Sequence, residues 1–139
     1  MIADLFLYFA KFPNKRGIRS MATLGKSEFV EYAQMLDALE QLPDEARIPE
    51  IDHYVYGQTF DELKSLVERL TGSFLFVDYG EFDFGDDGRR SYHCTQRLAV
   101  TVAVKYSDHA DPMEHVIISD RTLKLLTAVH AWMMASTKP

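Results

Sequence analysis

The clearest pattern in the chain is an alternation between residues 92 and 106. Tyr92, Cys94, Leu98, Val100, Val102, Val104 and Tyr106 share one face, while His93, Thr95, Arg97, Thr101 and Lys105 share the other. A period of two marks a half-buried strand, so the first set predicts a core face and the second a face turned to water or a partner. The preceding segment SFLFVDYGEFDF, residues 73–84, is rich in aromatic and β-branched residues and predicts the strand that pairs with it. Gly85-Asp86-Asp87-Gly88 joins the two limbs, which is hairpin chemistry.

Helical patterns mark most of the rest of the chain. Residues 2–12 are apolar on nearly every side and predict a short buried helix stopped by Pro13. Residues 13–26 read as a loop. Ser27 is placed to cap a helix running to about Leu42, with Glu28 and Glu31 in its first turn and Phe29, Ala33, Leu36 and Leu39 near one face. Two prolines and a run of charges between Pro43 and Asp52 predict a connector, followed by a short strand over His53–Tyr56. Thr59-Phe60-Asp61-Glu62 has the form of a capping box, and Phe60, Leu63, Leu66, Val67 and Leu70 repeat at helical spacing up to Gly72. Asp111-Pro112-Met113-Glu114 offers an N-cap, a first-turn proline and a capping glutamate to a helix running towards Ala135. The run HVIIS, residues 115–119, fits either that helix or a strand.

Length and charge narrow the class. A chain of 139 residues is the size of one domain, and 47% hydrophobic residues suit a soluble globular protein. Cys94 is the sole cysteine, which excludes an internal disulfide and fits a reducing compartment. The opening MIADLFLYFAKF carries Asp4 within a brief apolar run, and reads as neither a signal peptide nor a membrane span. A net charge of −6 argues against nucleic acid as a partner. The one basic cluster, Lys11, Lys15, Arg16 and Arg19, reads as a solvated loop.

Residues 82–94, FDFGDDGRRSYHC, imitate three functional sites. Asp83-Phe84-Gly85 spells the magnesium triplet of protein kinases, but no glycine-rich phosphate loop, VAIK-type lysine or HRD loop accompanies it. Counted as a calcium loop from Asp83, the stretch puts Gly85 at position 3 and Cys94 at position 12, where a bidentate glutamate is needed. His93 and Cys94 are adjacent in a strand, so they point to opposite faces and cannot chelate together. The remaining candidate ligands, His53, Asp108, His109, Asp111, Glu114, His115 and His130, show no chelating spacing. Cys94 reads as a small buried hydrophobe, and His130, beside Val129, Trp132 and Met133, as a core or interface histidine. No nucleophile has a recognisable base partner, so no catalytic, cofactor or metal residue is assigned and the chain is not expected to be an enzyme.

The predicted order gives an α+β fold: a small antiparallel sheet with a long β-hairpin, and helices packed on one face. It forms one domain, 1–139, with residues 1–50 a helical N-terminal extension within it. Each hairpin limb is about twice a typical strand in length, so its distal end is expected to project. Tyr79, Phe82, Phe84, Asp86, Asp87, Arg89, Arg90 and Tyr92 then form a candidate assembly interface. A projecting ribbon meeting the next copy makes a heterologous contact, which closes into rings or grows into tubes.

From GSFLFVDYGEFDF through the return strand Arg97–Tyr106, the acidic loop Ser107–Asp111 and the helix Leu123 to Ala131, the chain resembles phage tail terminator and tail-completion proteins. With the helix that precedes the hairpin, the resemblance covers the second half of the chain and is one of pattern. It implies a homo-oligomeric ring, with a hexamer as its implied form, at the end of a tail tube. Other tail or capsid proteins would be its partners, with assembly in the cytoplasm and a place in the virion. No nucleic acid, membrane or cofactor is expected. The alternative is a small cytoplasmic binding or regulatory module whose sheet face holds a ligand or a protein.

Overall fold

The computed structural model describes residues 2–136 apart from 23, 59, 87, 89–91 and 106–108, with backbone alone at 60, 62, 63, 65, 66, 86, 92 and 93. In chain order the elements are α1 (Ile2–Phe9), a 3-10 helix η1 (Lys15–Met21), α2 (Val30–Glu40), β1 (His53–Gly57), α3 (Phe60–Arg69), β2 (Ser73–Asp86), β3 (Tyr92–Val104) and α4 (Pro112–Ser136). The α+β class and the long hairpin stand as expected, and HVIIS belongs to α4.

Two details of the sheet differ from expectation. It is mixed rather than antiparallel: β1 runs parallel to β2, with Tyr54 opposite Leu75 and Tyr56 opposite Val77, and only β2 and β3 are antiparallel. The cause is connectivity, because the helical crossover α3 returns the chain to the end from which β1 began. Nor do the helices share one face. Lys105, on the outward side of β3, donates from Nζ to the Val67 carbonyl of α3 and stacks over Phe74. That places α3 over the face bearing Val55 and Phe74, both buried, and opposite the face covered by α1 and the end of α4. Asp52 and Ser73 fasten the start of the parallel pair. The Asp52 N–H donates to Ser73 Oγ at 2.9 Å, and the Ser73 N–H donates to Asp52 Oδ2 at 3.0 Å.

The main core lies between the sheet and α1. Phe6, Phe9 and Phe12 meet Tyr54, Tyr56, Leu75, Val77 and Val102. α1 is shorter than predicted because its hydrogen bonds tighten after Ala10: Lys11 and Phe12 donate to the carbonyls three residues back. The hydroxyls of Tyr54 and Tyr56 donate to the carbonyls of Phe6 and Ile2, each at 2.8 Å. Burial, and then the neighbouring Tyr79, pushes the Tyr56 hydroxyl up to about 12. Burial raises Tyr54 as well.

The N-terminal region departs from its sequence reading in two places. Residues 13–26 contain η1, packed so close to β1 that a Cβ at Gly17 would fall 1.9 Å from the Asp52 carbonyl oxygen. α2 begins at Val30, not at Ser27, whose Oγ accepts from the Phe29 N–H instead of capping the helix. Its inward side is Met35 and Leu39, with Leu42 just beyond its end, while Phe29 and Ala33 are exposed. The capping box at Thr59–Glu62 lies outside the described side chains.

Candidate assembly surface

The hairpin changes character at a bulge. Up to Asp78, β2 pairs with β1 on one side and β3 on the other; from Glu81 onward it pairs with β3 alone. Asp78 stands opposite Ala99 and Glu81 opposite Arg97, so Tyr79 and Gly80 together face Leu98. Gly80 takes a φ of 62°, and its N–H donates to Asp78 Oδ1 at 2.8 Å. A Cβ there would lie 2.0 Å from the Arg97 carbonyl oxygen, so glycine is required for both conformation and space. Gln96 Nε2 closes the bulge by donating to the Tyr79 carbonyl at 3.0 Å.

The extra residue inverts the side-chain parity of β2. Before the bulge, odd positions such as Leu75 and Val77 face the core alongside Val102 and Val100. After it, even positions share that face, with Phe82 opposite Gln96 and Phe84 opposite Cys94. The face that is core at the base of the hairpin thus continues outward as Phe82, Phe84 and Cys94. The reverse face carries Glu81, Asp83, Thr95 and Arg97, with Arg97 Nε 3.7 Å from Asp83 Oδ2.

Against the expected interface, the residues divide. Tyr79 is half-buried and leans on Tyr56 at 5.3 Å, so it belongs to the core margin. Phe82 is half-buried and Phe84 is 78% exposed. The backbones of Asp86 and Tyr92 pair as the last described rung. Asp87, Arg89 and Arg90 lie outside the described residues. Cys94 is exposed, not buried, because its face extends past the end of the core. The kinase-like and calcium-like readings fall on strand: β2 continues through Asp86, and Gly85 pairs with His93. Among the described residues no three His, Cys, Asp or Glu side chains converge for a metal.

Other surfaces bear on binding. α4 presents apolar residues on two sides, yet only Val129 is buried, while Met113, Val116, Ile117 and Leu123 are exposed. The spacing of these exposed residues is visible in the sequence, but apolar residues on two sides leave no single helix period to tell which side meets the sheet. His130 is exposed and not in the core. Trp132 covers the Arg47 guanidinium at 4.9 Å, which also faces Tyr8 and Phe12. Those rings surround Arg47 Nη1, which is buried without a hydrogen-bond partner among the described residues.

Of the basic cluster, Lys15 is not simply solvated. Its Nζ donates to the carbonyls of Glu40 and Leu42 at 2.8 and 2.9 Å, closing the C-terminal end of α2. Between η1 and α2 lies an open cavity of about 930 Å³ lined by Arg16, Arg19, Ile18 and Leu36 among others. No described helix is long and apolar enough to cross a membrane.

No family model matches this chain, and no curated protein and no solved structure does so either.

Proposed function

We propose that the protein is a structural assembly component that joins copies of itself through the projecting half of its hairpin, as a ring-forming part of the end of a phage or phage-like tail. The observation that carries this reading is the amphipathic ribbon beyond Gly80. An isolated two-stranded ribbon is marginal in water, and here one face carries Phe82, Phe84 and Cys94 beside Gln96, with Phe84 and Cys94 exposed. Phe84 at 78% exposure is costly to a monomer and useful to an interface. The ribbon and the body it leans on are different surfaces, so contact between them is heterologous and propagates until a ring closes. The tail-terminator resemblance supplies the setting, the hexameric ring and the tail or capsid partners.

The register defines the test. Phe82 pairs with Gln96, so excising residues 83–95 and joining these two through Asn-Gly restores a two-residue turn. The shortened chain is expected to keep the melting temperature of the wild type within a few degrees and to lose assembly in light scattering, alone or with tail tubes. Equal assembly of both chains would overturn the reading.

One observation favours the binding-module alternative. The 930 Å³ cavity is within the size of ligand sites, and its lining sets Lys15, Arg16 and Arg19 against Glu40 and Asp44, an excess of one positive charge that suits an anionic ligand or an acidic segment. Arg16→Glu with Arg19→Glu would abolish such binding and leave ring formation untouched.

A further inference from the structure

We infer that α4 carries a second self-association surface, distinct from the ribbon, on which its outer face packs antiparallel against the same face of a second copy. The helix has 25 residues and so spans roughly 37 Å. Its later part holds the apolar anchors: Leu125, Ala128, Val129 and Met133 pack on the core, while before them only Ile118 and Thr122 are half-buried. The first half of α4 is the less covered one, and it turns Met113, Val116, Ile117 and Leu123 outward. Met113 is 73% exposed and Leu123 is 62% exposed.

Spacing sets Met113 and Ile117 on a seam, with Val116 and Leu123 along its edge. Positions 113, 117, 120, 124, 127 and 131 advance by alternating steps of four and three, which is the stripe one helix offers another. The face opposite, through Ile118, Thr122, Leu125 and Val129, is the one turned to the sheet. α4 is therefore apolar on both sides because it serves two contacts.

Size and charge along the seam select the occupant. The N-terminal half carries the bulky Met113 and Ile117, the C-terminal half the small Thr127 and Ala131. Antiparallel pairing about a two-fold axis between Asp120 and Lys124 lays Met113 over Ala131 and Ile117 over Thr127. The same operation puts Asp120 of each copy opposite Lys124 of the other, and the two Leu123 side chains meet near the axis. Within one chain Asp120 Oδ2 already lies 2.9 Å from Lys124 Nζ, so pairing completes a square of alternating charge. Parallel pairing would set Asp120 against Asp120 and Lys124 against Lys124. A partner of another kind has no reason to match this charge order, whereas a second copy reproduces it by symmetry.

Charge reversal reads this directly in the full-length protein. Asp120→Lys makes the centre wholly positive and Lys124→Asp makes it wholly negative; both side chains are exposed, so melting temperatures are expected to stay at the wild-type value. In sedimentation analysis each variant alone is expected to dimerise at least about tenfold more weakly than wild type. An equimolar mixture of the two is expected to recover dimer, as a heterodimer. Wild type that stays free of a two-fold dimer at high concentration, single variants that dimerise as well as wild type, or a mixture that recovers nothing would each overturn the inference. A ring that persists in both variants while the two-fold dimer is lost would support two separate contacts, since the ribbon that forms the ring does not include α4.

Discussion

Between Ser73 and Asp78, β2 has a strand on each side and a helix over each face; between Glu81 and Asp86 it has β3 alone. Two phenylalanines occur in each stretch, but the inner one, SFLFVD, adds leucine and valine where the outer one, EFDFGD, has two more carboxylates and a glycine. Coverage separates them further. Leu75 and Val77 are fully buried, whereas Phe84, on the continuation of the same face, is open to water. Burying a large apolar side chain contributes roughly 1.5–3 kcal/mol, so the hairpin's stability resides in its base. Its outer half contributes little to folding and is free to be used for contact.

A charge placed on this one face at two heights gives the largest contrast. Val102 is 7% exposed and stands opposite Leu75. Val102→Asp buries a carboxylate with no partner, which is expected to cost roughly 3 kcal/mol or more and to unfold much of the population. Cys94→Asp, eight residues earlier on the same face, is expected to change stability by less than about 0.5 kcal/mol. Urea titration of the two variants measures the difference. Equal effects would mean that the outer ribbon is covered within the monomer, and the division at Gly80 would be wrong.

The division itself is held by Gly80. Gly80→Ala adds a Cβ that falls 2.0 Å from the Arg97 carbonyl oxygen and forces an alanine to a φ of 62°. A strained residue of this kind costs on the order of 1–3 kcal/mol, and the backbone clash adds to it. The expected relief is loss of the bulge, which would return Phe82 and Phe84 to the charged side of the ribbon. Denaturant unfolding reads the stability loss, and amide exchange across residues 92–97 reads the change of register. Wild-type stability together with wild-type exchange would show that the bulge does not depend on glycine.

Much of this was legible in the chain. The alternation from Leu98 to Val104 gave the register of β3 without error, since Val102 is buried and Thr101 exposed. A period of two says which residues share a face but not how far the covering layer extends, and for that reason Cys94 was misplaced. The parallel pairing of β1 depended on where the chain re-enters the sheet after α3, which no local pattern records. Tyr79 looked like an interface residue because its contact, Tyr56, lies on a different strand. The parity change was hidden in Tyr79-Gly80: glycine in a strand is a common bulge signal, but only its close approach to Arg97 shows that this one is used. α2 was legible in part: Leu39 packs on the core as expected, whereas Phe29 and Ala33 are exposed and Met35 packs instead, because tertiary contact chose between two overlapping stripes.

The smallest effect is expected where the outer ribbon's polar face meets water. Asp83 and Arg97 approach to 3.7 Å, but their side chains are 61% and 73% exposed, so solvent screens the attraction and ordering two side chains offsets much of the rest. A double-mutant cycle with Asp83→Asn and Arg97→Gln is expected to give a coupling below about 0.5 kcal/mol in the monomer, falling further as salt is raised. In the assembled protein the same cycle discriminates more sharply. If the ribbon docks by Phe82 and Phe84, its charged side stays in solvent and the coupling remains small. If the coupling grows on assembly, the charged side has been desolvated, the ribbon docks by its other face, and the apolar side must be covered by something else.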